Sequence, residues 1–220
     1  MQDGLAGSCF KSLHGGFGMN AQEILQSDEF KQCADFHGHI CPGLATGFKG
    51  AKAALAWLKE NKSEDEDLVA VVETDACMVD AIQVLTGCTF GKGNLLYKDY
   101  GKVAFSLLCR KTGQGVRVSM KPGAFKLSDE HMALVKKRLA DTATKEDNKR
   151  FWELHHERSN LILEQDPVNI FDLNPASIEM PAKANILQSK PCAECGEPVM
   201  ESKLCESSGK MICRGCLEKN

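Results

Sequence analysis

The chain has 220 residues, 43% hydrophobic and 26% charged, which suits one ordinary core with a small appendage. A net charge of −3 gives no electrostatic grip on nucleic acid or an anionic membrane, and no apolar run approaches the ~20 residues of a membrane helix. The opening MQDGLAGSCFKSLHGG lacks the charged-then-apolar order of a signal peptide, so a cytoplasmic protein is predicted.

Residues 1–19 are rich in Gly and Ser and are expected to be loosely ordered. AQEILQSDEFKQCADF reads as one helix, with Ile24, Leu25 and Phe30 among its apolar positions. After HGHICPG a second helix is predicted from Pro42, since Leu44, Phe48, Ala51, Leu55 and Leu58 recur at helical spacing and proline is tolerated in a first turn. SEDED is an acidic loop, LVAVVET (68–74) a buried strand, and ACMVDAIQVLTG a short helix ended by Gly87. GKVAFSLLCR and GVRVSMK flank the turn KTGQ as a hairpin. Helices follow at 128–141 and 145–165, and the proline-rich DPVNIFDLNPASIEMPAK reads as an extended connector. The expected organisation is a core at 20–166, a linker at 167–189 and a cysteine module at 190–220.

Eleven cysteines in a reducing compartment point to metal ligation, chemistry or core filling rather than disulfides. Cys9 and Cys109 are assigned to core filling. Cys192, Cys195, Cys213 and Cys216 form C-x₂-C-x₁₇-C-x₂-C, the spacing of two knuckles that each offer two thiolates to a structural zinc ion. Cys205 lies between them as a spare thiol, or as a substitute for Cys213 in a shifted register.

HGHICPG sets His37, His39 and Cys41 two residues apart; in extended backbone such side chains share a face, and two imidazoles with a thiolate suit zinc or a similar transition metal. Cys41 precedes a helix start, where the dipole should lower its pKa. ETDACMVDAIQ places Glu73, Asp75, Cys77 and Asp80 just past a strand end, a common position for functional groups. In TGCTFGKGN, Cys88 is followed by Lys92, a candidate anion contact, and by Asn94, an available amide. The loop lacks the GxxxxGK[ST] spacing of a Walker A nucleotide site. His155 and His156 read as solvated, and His14 and His131 receive no role.

HGHICPG, ETDACMVDAIQ, TGCTFGKGN and DYGK, in this order, resemble the FmdE family, named for a component of formylmethanofuran dehydrogenase, across about residues 25–165. The resemblance implies an α+β core, an attached treble-clef zinc finger, a homodimer and a cavity lined by the histidine and cysteine motifs. Carried onto this sequence, the motif positions are His37, His39, Cys41, Cys77, Cys88, Lys92 and Asn94. The family label also implies one-carbon, methanogenesis-related chemistry alongside a molybdenum or tungsten enzyme. The chain shows neither the C-x₂-C-x₂-C run of an iron–sulfur protein nor a phosphate cradle for a pterin, so it cannot carry out that reaction alone.

The leading expectation is a metal-binding protein whose core zinc is held by His37, His39 and Cys41, or by a subset with Cys77. Asp75 or Glu73 would move protons, and Lys92 would stabilise negative charge. The alternatives are a thiol redox protein using Cys41, Cys77 and Cys88, and a regulator whose finger contacts protein or nucleic acid. Residues 190–220 balance five lysines and arginines against five glutamates, which favours a protein contact over a phosphate grip.

Overall fold

A computed structural model describes residues 19–60, 62–63, 65–124, 126–183 and 188–219. The expectations placed on residues 1–18, Cys9 and His14 among them, lie outside the described residues. The chain divides into two units, Met1–Ala182 and Lys183–Asn220.

In the first unit the opening helix is broken in two. Ser27 ends α1 (Ala21–Gln26) by donating its backbone N–H to the Ile24 carbonyl, and starts α2 (Asp28–His37) by accepting from the Phe30 N–H. A residue with one hydroxyl thus supplies both a stop and an N-cap, a division that apolar periodicity does not reveal. Gly38, at φ 89°, then ends α2 in the left-handed conformation that glycine adopts without a Cβ penalty.

Cys41 is the N-cap of α3 (Pro42–Leu58), with Pro42 in its first turn as predicted. This helix is buried along nearly all its length, and its glycines bring α4 (Met78–Thr86) into close contact. A Cβ on Gly47 would lie 2.2 Å from the Met78 carbonyl oxygen. Lys49 is also buried; its ammonium donates to the Leu163 carbonyl at 3.0 Å, satisfying a terminal carbonyl of α6 (Lys145–Glu164).

Five strands form one sheet in the order β2-β1-β3-β4-β5. β1 (Leu68–Val72) and β3 (Ala104–Cys109) are buried at every residue, so their apolar runs show no alternation. β2 (Leu95–Tyr97) runs parallel to β1, with α4 as the crossover; β3 and β4 (Gly115–Met120) form the predicted hairpin. The segment expected to be an extended connector instead begins as α7 (Pro167–Ile170) and continues as β5 (Phe171–Pro175), antiparallel to β4. Phe171 and Leu173 point into the core while Asp172 and Asn174 face out, a two-residue period that the flanking prolines obscure in sequence. α5 (Asp129–Leu139) is the remaining described helix of this unit.

The second unit holds two hairpins, β6 (Ser189–Pro191) with β7 (Pro198–Met200) and β8 (Leu204–Ser207) with β9 (Lys210–Cys213), followed by α8 (Arg214–Leu217). Its buried hydrophobic cluster is Cys192, Ile212 and Cys216. No described helix is long and apolar enough to cross a membrane.

Candidate metal centres

The C-terminal thiols converge: one ligand atom from each of Cys192, Cys195, Cys213 and Cys216 lies within 4.8 Å of all the others. The first pair sits on the turn after β6, where the Gly196 N–H donates to the Cys192 carbonyl. The second pair brackets the first turn of α8, with Cys213 as N-cap accepting from the Cys216 N–H. Backbone N–H groups aimed at Cys192, led by that of Cys195, bring its thiol down to about 6, while the proton shared with Cys213 raises Cys216 to about 12. Such a partly ionised thiol cluster is suited to a cation. Cys205 pairs with Ile212 across β8 and β9 and is not one of the four, so the shifted register does not occur.

In the core, His37, Cys41 and Cys77 each place a ligand atom within 4.8 Å of the other two. Each occupies a helix end: His37 is the last residue of α2, Cys41 the N-cap of α3 and Cys77 the N-cap of α4. Close helix approach is what joins them. A Cβ on Gly43 would meet the Cys77 Cβ at 2.9 Å, so only glycine lets the first turn of α3 ride over Cys77.

The imidazole of His37 is held from behind. Its Nδ1 lies 2.7 Å from Asp80 Oδ2, leaving Nε2 directed at Cys41 Sγ, 3.6 Å away. A carboxylate on one ring nitrogen with the other facing the ligand cluster is the arrangement that fixes tautomer and orientation in metal sites. Asp80 stands out in sequence only as one of several acids; its role follows from lying three residues beyond Cys77, one turn along α4. Asp80→Asn is expected to weaken core metal affinity about 10–100-fold while leaving the C-terminal site at full occupancy, read by competition with a chromogenic chelator.

Three expectations fail in the core. The HGHIC stretch is not extended: His37 is helical and Gly38 turns the chain, so His39 does not share a face with both ligands. His39 is exposed and lies outside the triad, its ring 4.4 Å from that of His37 and 5.6 Å from Trp152 of α6. Second, Cys41 is not the activated thiol. Its hydrogen bond to Cys77 and its burial push its pKa up, outweighing the Leu44 N–H that donates to it. The same hydrogen bond, helped by the charge of His37, draws Cys77 down to about 5. The two thiols share one proton, and the directions of the shifts favour the thiolate on Cys77. Third, Glu73 is no proton carrier: Arg117 grips both its oxygens, at 2.7 and 2.8 Å, and holds its carboxyl below the usual range.

The other motif residues lie elsewhere. Cys88 follows the far end of α4, whose nine residues place it about 14 Å along the axis from Cys77. It is buried, which raises its thiol. Asn94 is a structural residue, accepting from the Thr89 N–H and donating to the Leu68 carbonyl. Asp75 is exposed on the loop before Cys77, and the Lys92 ammonium contacts the Asp65 carbonyl at 3.4 Å. Sequence reading also missed a histidine pair beside Trp152. His131 is buried with Nε2 2.6 Å from His155 Nδ1, and burial lowers both, His155 to about 4.

A fold of helices over a small mixed sheet, with cysteine and histidine groups that could hold a metal ion gathered at its helix ends, defines a class of small α+β proteins. The chain belongs to the FmdE family, described as "FmdE, Molybdenum formylmethanofuran dehydrogenase operon", whose model matches residues 36–172. It is similar in structure to an FmdE-like protein of the tungsten formylmethanofuran dehydrogenase type from Syntrophus aciditrophicus, with TM-score 0.58 and 25% identity over 92% of this chain and 95% of that one. It is also 34% identical over 177 residues to an Archaeoglobus fulgidus protein described as a probable S-adenosyl-L-methionine-binding protein. That match covers 77% of this chain but 48% of the relative, so the chain spans about half the length of that protein.

Proposed function

We propose that the chain is a two-metal protein: a structural zinc in the C-terminal unit, and a core zinc held by His37, Cys41 and Cys77 with a ligand position left open for chemistry. The observation that supports the core site is the Asp80–His37 contact, which turns Nε2 toward two thiols in one cluster. Zinc bound there would polarise a carbonyl or activate water. Around it, Cys77 supplies the thiolate, Asp80 orients His37, and the ring of exposed His39 lies 4.4 Å from that of His37. The order of knuckle, hairpin and short helix supports a treble clef for the second unit. Service to a molybdenum or tungsten formylmethanofuran dehydrogenase, a homodimeric state and a cytoplasmic location rest on the family and are read with it. S-adenosyl-L-methionine is not carried over, because the match spans only half of that relative.

Metal analysis of the purified chain tests the proposal. Two equivalents of zinc per chain are expected, falling to one in Cys41→Ala with the C-terminal site still filled. Unchanged stoichiometry in that variant would remove the core site.

The adjacency of Cys41 and Cys77, with one shared proton, also favours a second reading as a redox pair that closes to a disulfide against an oxidised thiol partner, without Cys88. In metal-stripped protein, alkylation of Cys77 by iodoacetamide is expected to rise with pH through about 5 and then level off, where an ordinary thiol would rise near 9.0. If metal fully protects Cys77 and no disulfide forms after stripping, the redox reading fails.

A further inference from the structure

The groove between α2 and α4 contains a second feature that the metal triad does not use. A cavity of about 540 Å³, within the range of small-molecule sites, is lined by Phe36, Lys62, Gln83, Val84, Thr89 and Lys92 among others. Among the described residues its lining has two lysines and no acidic side chain, on a chain whose net charge is −3. Among the described residues neither lysine meets a carboxylate: Lys92 touches only the Asp65 carbonyl, and Lys62 is exposed. Phe36, 60% exposed, and Val84 supply an apolar wall beside these charges.

The cavity is joined to the metal triad by the geometry of α4. Asp80, Gln83, Val84 and Gly87 recur at intervals of three, one and three residues, so they form one stripe about 10 Å long. Gln83 lines the cavity and donates to Asp80 Oδ1 at 3.5 Å; the other oxygen of Asp80 holds His37. Phe36 is the neighbour of His37 on α2. One end of the groove is therefore a cationic, half-apolar cavity, and the other is the carboxylate that orients a metal ligand.

We propose that this cavity binds a small organic anion, a phosphate or carboxylate on an apolar body. The acid group sits on Lys62 and Lys92, the body lies against Phe36 and Val84, and occupancy is relayed through Gln83 and Asp80 to His37. That the ligand serves the metal centre rests on the core-zinc reading above; that the cavity takes an anion does not.

Phenyl phosphate is the probe, titrated into the full chain as purified and followed by calorimetry and by amide and histidine-ring NMR. Saturable binding is expected, with shifts at Phe36, Gln83 and Lys92 and a change at the His37 ring. Lys62→Gln/Lys92→Gln should lose about tenfold in affinity, while Lys98→Gln, on an exposed segment elsewhere, keeps it. Benzoate should compete, and inorganic phosphate should bind more weakly for want of a body. Gln83→Leu should retain binding but lose the His37 response. Absence of binding, equal binding by the double variant, or equal affinity for inorganic phosphate would overturn the site. A His37 response surviving in Gln83→Leu would overturn the relay. Binding that persists while metal stoichiometry shows one zinc per chain would sink the core-zinc reading and leave the anion cavity standing.

Discussion

Replacing Gly47 with alanine is expected to lower the melting temperature of the first unit by roughly 4–8 °C. The added Cβ would stand 2.2 Å from the Met78 carbonyl oxygen and 2.7 Å from its Cα, so it meets backbone and not a side chain that can swing aside. Relief requires α3 and α4 to separate, and overpacking of this kind costs about 3 kcal/mol, the upper end of the usual range. Alanine's better helix propensity returns only about 1 kcal/mol. Gly50→Ala, on the same helix, should lose much less, because its Cβ meets the ring edges of Phe105 and Phe171 at 3.3 and 3.4 Å. The informative comparison is metal content. Separating the two helices moves the Cys41 end of α3 from the Cys77 end of α4, so Gly47→Ala should also lose core zinc. Calorimetric melting and metal analysis of the two variants measure both effects. A Gly47→Ala protein as stable as the parent would contradict the helix contact.

Removing metal from the C-terminal unit is expected to abolish amide protection throughout 189–217 while leaving β1 and β3 protected. Size decides this. The unit's buried cluster among the described residues is Cys192, Ile212 and Cys216, so two of its three members belong to the group of thiols that could hold the ion. Without a cation to bind them, thiolates would repel and protonated thiols would bury little area. Structural zinc in finger peptides supplies about 10–16 kcal/mol, far more than one isoleucine and two short hairpins provide. Hydrogen exchange after chelation, and in Cys216→Ser, is the measurement. Retained protection in the stripped protein would mean that hairpin packing alone holds the unit.

How much of this was legible in the sequence depends on the length scale of the signal. The apolar stripe of α3 and the run 68–74 announce their elements because burial is continuous along them. The hairpin of β3 and β4 is readable from its turn. The break at Ser27 was hidden because a cap is a single-residue event, and β5 was hidden because its alternation is short and framed by prolines. Among site residues, the cysteines and His37 were visible as reactive types in dense motifs. The exclusion of His39 depended on one glycine at positive φ, which turns the chain where alternation was assumed. The engagement of Glu73 with Arg117, the pairing of His131 with His155 and the place of Lys92 in the groove are contacts between residues distant in sequence, and no spacing rule reports them.

The core ligands stand at three helix ends, two of them separated only by the short turn through Gly38. Helix ends open by fraying, at a fraction of the free energy needed to unfold the sheet behind them. In the proposed core site, the residence time of a metal would thus be set by a local event confined to residues 37–41, not by the stability of the domain. A chain built this way could be thermally robust and still exchange a core ion with a carrier, whereas an ion in the C-terminal unit would leave only as that unit loses its structure. Within one polypeptide the two ions would run on separate clocks.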